Sequence, residues 1–217
     1  MPAINLARLR MHTADLAQHF SDANKFVHEL EGFLEFYADR TRRVGLAGIT
    51  PTLIHSYNIP RQAMNQLMLE LKDHISADKE AALMIVDALW EVETLEPRII
   101  ACRVLSLIED LEPEIVLERV ESWISDNEEE KLTQAISQYA VEPLKANNPG
   151  AYLGFLADGL ASDSTQRNLF SLQAYTDLAN DQTFDDLPAI FRSLNEWIAD
   201  YDPAFKLPLL DLLSALA

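Results

Sequence analysis

A chain of 217 residues, 48% apolar and with one cysteine, can bury a substantial core, but it has no disulfide framework and no membrane-length apolar run. Its formal net charge of −18 is uneven: 8 basic against 7 acidic residues over 1–72, 3 against 7 over 73–108, and 6 against 21 over 109–217. Such a field repels nucleic acid and anionic membrane at long range, and is read either as a solvated outer face or as a surface for a basic partner.

No glycine occurs between Gly48 and Gly150, while apolar residues recur every three or four positions. That excludes a sheet protein rich in tight turns and predicts helices joined by short loops. Residues 5–20 put Leu6, Leu9, Leu16 and Phe20 on one stripe, and Ser21 is placed to cap a helix running to Arg40 with Phe26, Leu30, Phe33, Leu34 and Tyr37 inward. From Val44 to Ile59 the pattern breaks around Gly45, Gly48 and Pro51, giving the longest irregular segment. Pro60 then opens a helix to about Ile75 with Met64, Leu67, Met68 and Leu71 inward. Ser76 is expected to cap the next helix, Thr94 a third with Pro97 in its first turn, and Pro113 to open a fourth. Asp126 or Asn127 starts a fifth, which reaches Tyr139 through Leu132 and Ile136. The remainder reads as helices over 149–161, 163–180 (capped by Ser162 or Asp163), 183–200 with a start or kink at Pro188, and 203–216.

The two-helix unit recurs at roughly 30 to 40 residues, the spacing of HEAT-like or armadillo-like repeats. The expected fold is therefore all-α, a right-handed superhelix of helical hairpins. It is expected as one continuous domain in three parts: an N-terminal helical hairpin over 1–43, an irregular segment over 44–59 and helical repeats over 60–217.

No phosphate loop, dinucleotide fingerprint, nucleophile elbow or zinc-binding cysteine set is present. His12, Asp15 and His19 share a helical face that can offer metal ligands, but solvated side chains explain them as well and no ligand set is completed; no metal and no cofactor are expected. The run Asp126-Asn127-Glu128-Glu129-Glu130 begins a helix, where carboxylates interact favourably with the helix dipole without any catalytic role. Trp90, Trp123 and Trp197 fall at core-like positions that would also suit the walls of a ligand groove. Arg167 is the one basic residue between Lys145 and Arg192, and pairing with Asp163 competes with a phosphate-clamp reading. Cys102, in the run Ile99-Ile100-Ala101-Cys102, reads as a buried, inert thiol.

Tyr57-Asn58-Ile59-Pro60, then Leu89-Trp90, Glu96, Arg98 and Ala101, then Trp123, and then Ala161-Ser162-Asp163-Ser164 with Gln166-Arg167 form a series. Over residues 55–200 it resembles the bacterial alkylpurine DNA glycosylases built from HEAT-like repeats, the DNA alkylation repair superfamily. The resemblance implies a helical solenoid around duplex DNA, with basic side chains on its concave face. It also implies a lesion cleft of tryptophans, an aspartate and an arginine, in which the aspartate stabilises positive charge on the sugar as a cationic base departs. Arg167 matches the family's arginine and Trp123 stands near its tryptophan, which makes both substrate-binding candidates. Asp126 with Arg167 is the alternative catalytic pair. The family's Trp-Asp pair followed by a second Asp is not matched at Asp126-Asn127-Glu128-Glu129-Glu130-Lys131, nor is the tryptophan before the arginine.

The chain is accordingly read as a diverged member, a non-catalytic scaffold for an unknown protein or peptide, with a glycosylase for alkylated purines as the alternative. The net charge disfavours the nucleic acid that the resemblance implies. No membrane association is expected, a cytoplasmic location is, and the apolar run Leu207–Leu213 is a candidate homodimer contact.

Overall fold

The computed structural model describes residues 5–39, 52–125, 127–200 and 202–216. Among them the chain is all-helical, without a named strand: α1 (Leu6–Ala17), α2 (Ala23–Tyr37), α3 (Arg61–Ala77), α4 (Lys79–Trp90), α5 (Leu95–Leu107), α6 (Pro113–Ser125), α7 (Glu130–Ala135), α8 (Glu142–Asn147), α9 (Pro149–Leu160), α10 (Thr165–Asn180), α11 (Leu187–Trp197) and α12 (Lys206–Ala215). No helix among the described residues is long and apolar enough to cross a membrane. The chain divides into two compact units, Met1–Leu111 with Glu129–Ala140, and Glu112–Glu128 with Val141–Ala217.

Helix starts follow capping chemistry, and the caps fall one to three residues from several of the expected ones. Asp22 replaces Ser21, accepting from the Lys25 N–H, and Ser164 replaces Ser162 or Asp163, accepting from the Arg167 N–H. Helix α3 continues through Ser76 to Ala77, so Asp78, at φ −143° and ψ 93°, both ends it and caps α4 through the Ala81 N–H. A cap requires extended backbone at its own position, which Thr94 at the start of α5 has as expected, whereas Ser76 lies within α3. Ser162 accepts the Ser164 N–H inside the preceding turn. The fifth helix begins at neither Asp126 nor Asn127: Glu129 is its cap, and Asp126 lies outside the described residues. That helix ends at Ala135 and widens into a π turn, Ile136–Ala140, before the short α8, which the apolar spacing did not reveal. Pro188 marks a start and not a kink, since α11 opens at Leu187.

In the first unit α4 and α5 form a tight hairpin, and helices two apart in sequence also touch: α1 with α3, α2 with α4, α3 with α5. Their apolar stripes supply the core. Leu67, Leu71, Ile75, Ile85, Val86, Leu89, Ile100, Val104 and Leu105 are all fully buried, whereas Leu6, expected inward, is exposed. In the second unit α10 is central, packing against α6, α9 and α12. Gly159 permits the close approach of α9 to α10, because a Cβ there would overlap Ser171 Oγ.

Of the irregular segment expected over 44–59, residues 44–51 lie outside the described residues. Residues 52–60 form an extended strap over the start of α5. Glu96, 4% exposed, accepts hydrogen bonds from Ser56 Oγ at 2.8 Å, the Tyr57 N–H at 3.0 Å and the Asn58 N–H at 2.7 Å. The Leu95 N–H donates to His55 O, and Asp39 N–H to Tyr57 O. Asn58 has φ 53°, a left-handed conformation that asparagine tolerates better than most side chains, and its amide donates to Ser56 O. A second buried acid, Glu129, accepts the Leu53 N–H at 2.6 Å while capping α7. Arg98 closes the end of α4, donating from Nε to Trp90 O at 2.9 Å and Val92 O at 3.1 Å, with its guanidinium over the Trp90 ring.

Replacing Glu96 with alanine therefore strands three strap donors, and the loss of stability in urea is expected at about 3 kcal/mol, with Glu96→Gln costing less. The buried Cys102 thiol has its pKa pushed well up by desolvation. A folded pKa above the unfolded one gives stability that is complete below roughly pH 8.5 and lost as pH rises above it. Unfolding free energy should fall by up to about 1.4 kcal/mol per pH unit between roughly pH 9 and 10, and Cys102→Ala should flatten that decline in urea titrations.

Candidate functional site

Arg167, in the first turn of α10, pairs with Glu121 of α6 and not with Asp163: Nη1 lies 2.9 Å from Glu121 Oε1. Its guanidinium also sits 5.4 Å from the centre of the Phe155 ring, and only 16% of the side chain is exposed. Asn168, one residue on and buried, fixes this helix start by donating to Gly159 O, Ser162 O and Ser164 O. The turn around Ser162-Asp163-Ser164 is thus built by local hydrogen bonds, and the arginine emerging from it is neutralised within the same unit. In this arrangement the charge of Arg167 is compensated by Glu121 through Nη1, while its buried Nε–H has no hydrogen-bond partner among the described residues.

Trp123, on the same helix as Glu121, is 3% exposed and belongs to the core of its unit. Trp90 is also buried, and Trp197, half-buried, lies against Phe205 with ring centres 5.7 Å apart and planes inclined at 59°. Asp126, the acid of the alternative catalytic pair, lies outside the described residues. His12, Asp15 and His19 line one pocket of about 280 Å3 together with Glu29. His12 is held by aromatic edges from Phe36 and Tyr37, its Nδ1 3.3 Å from the Tyr37 hydroxyl. Among the described residues no group of three such side chains has metal-binding geometry.

In the first unit a larger cleft, about 700 Å3, opens beside the strap, where α3 and α5 face the π turn. Its lining includes Arg61 in the first turn of α3, Arg103 on α5 and Lys131 on α7, and also Asp39 and Glu96. Both carboxylate oxygens of Glu96 are already engaged by the strap. Arg103 donates to Asn65 Oδ1 at 3.2 Å and lies 5.2 Å from the centre of the Tyr139 ring. Burial holds its pKa below the ordinary arginine range, and the nearby Arg61 charge adds to that shift. Among the described residues no carboxylate is within ion-pairing distance of Arg61, Arg103 or Lys131. The sequence reading missed this cluster, because its members are scattered over three helices and share no spacing motif.

The residues of the resemblance have structural explanations here: Glu96 binds the Ser56–Asn58 turn, Arg98 closes α4, and Trp123 fills a core. Neither the curated proteins nor the solved structures gave a match to this chain. The model of the family described as DNA alkylation repair enzyme matches residues 33–203. That span covers more than three quarters of the sequence, and the chain belongs to the DNA alkylation repair enzyme family.

Proposed function

We propose that this chain is a non-catalytic member of its family, a helical scaffold that binds a protein or peptide. The observation carrying this reading is the engagement of Arg167, closed between the Glu121 carboxylate and the Phe155 ring. A phosphate clamp would have to break a charged hydrogen bond at 2.9 Å before it could bind DNA. The burial of Trp123 supports the same reading, since a core tryptophan has no face to offer a flipped base. A HEAT-like stack of hairpins is part of the proposal, supported within the first unit by contacts between helices two apart. The second reading, excision of alkylated purines, is favoured by the family itself.

Two measurements test the proposal. Purified protein incubated with methylated duplex DNA at low salt, where electrostatic binding is strongest, should release no methylpurine above the uncatalysed background. Release that disappears in Arg167→Ala would establish the glycosylase reading. A double-mutant cycle on Arg167 and Glu121 in urea should give a coupling of about 1 kcal/mol, a modest value because half of Glu121 faces solvent. A coupling near zero would mean that the pair does not hold in solution and that the arginine is available.

A further inference from the structure

The cleft of the first unit combines two arginines, exposed Arg61 and part-buried Arg103, with apolar walls. Arg61 and Arg103 sit close enough for the charge of one to bear on the other, and no carboxylate among the described residues neutralises either. Arg103 is also oriented: Asn65 holds one arm of its guanidinium, and the Tyr139 ring supports the group. A held guanidinium loses little conformational freedom when it binds a planar carboxylate by two hydrogen bonds. Lys131 adds a third charge, while Met64 and Ile99 provide apolar contact on the same walls. The volume of about 700 Å3 falls within the usual range for ligand pockets.

We propose that this cleft is the docking site for a short acidic peptide, whose carboxylates pair with Arg61 and Arg103 and whose apolar side chains lie against Met64 and Ile99. This rests on the scaffold reading above and names the chemistry of its occupant. The charge distribution favours a peptide over a nucleic acid. Three cations are fewer than the roughly six to ten phosphate contacts of a typical DNA-binding surface. A longer polyanion would also extend further into the field of a chain with net charge −18.

The test is a fluorescence-anisotropy titration of the full chain with a dye-labelled decapeptide alternating glutamate and leucine. A glutamine–leucine decapeptide and a single-stranded oligonucleotide of ten nucleotides serve as comparison probes. The glutamate peptide should bind saturably, and the glutamine peptide at least about tenfold more weakly. Arg103→Gln should weaken glutamate-peptide binding by a similar factor, while Arg103→Lys, which keeps the charge but not the fork, should fall between. Arg192→Gln, at an exposed position in the other unit, should leave binding unchanged. Circular dichroism melts establish that each variant is folded, and Arg61→Gln provides a second reading of the site should Arg103→Gln unfold. No saturable binding of the glutamate peptide, or equal binding of the glutamine peptide, overturns the proposal. So does tighter, Arg103-dependent binding of the oligonucleotide, which would make the cleft a nucleic-acid site. Failure here without methylpurine release removes the acidic peptide alone; methylpurine release removes the scaffold reading on which it rests.

Discussion

The buried carboxylate of Glu96 organises the first unit. It takes two backbone N–H groups and one hydroxyl from a strap that has no ladder or helix to satisfy its own backbone. Charged acceptors in a low-dielectric setting bind such donors strongly, and an unmade bond there is costly. The strap therefore lies where the carboxylate holds it, with Asn58 in a left-handed conformation at the bend. Glu129 anchors the upstream end of the same strap while starting α7. Two acids far apart in sequence thereby shape one wall of the cleft that exposes Arg61 and Arg103.

The same physics explains why motif residues are an uncertain guide to activity in this chain. Glu96, Arg98 and Trp123 carry much of the likeness to the DNA alkylation repair family, and each has a full structural occupation: strap binding, helix closure and core packing. Residues that hold a fold together keep their positions relative to one another whatever chemistry the fold later carries or loses. Arg167 is different in kind, because its pairing with Glu121 changes what it offers to a ligand without altering where it stands. Charge, not architecture, separates the scaffold proposal from the glycosylase reading.

Helix existence was legible from apolar spacing, and the buried stripe of α3 includes Met64, Leu67, Met68 and Leu71, the residues read as inward. Starts were less legible, because several adjacent serines and aspartates are chemically able to cap. Only the local backbone decides which of them does so, as at Asp22, Asp78 and Ser164. Helix α8 and the π turn before it escaped because a widened turn breaks the 3.6-residue period on which the reading rests. For the candidate sites, the importance of Arg167 was visible but its partner was not. The pairing with Asp163 assumed a local contact, and the structure supplies an acid from another helix.

The sequence by itself determined the all-helical class, the lone buried thiol, the family and the acidic character of residues 109–217. These follow from periodicity, composition and summed charge, quantities that do not depend on which distant residues meet. Tertiary structure alone decided that Glu121 neutralises Arg167, that Glu96 and Glu129 hold one strap, and that Arg61 and Arg103 share a cleft. The first two are interactions over about 3 Å, and all three join residues some forty or more positions apart. Coulombic and hydrogen-bond energies fall off with distance in space, and spacing along the chain does not report that distance once helices pack.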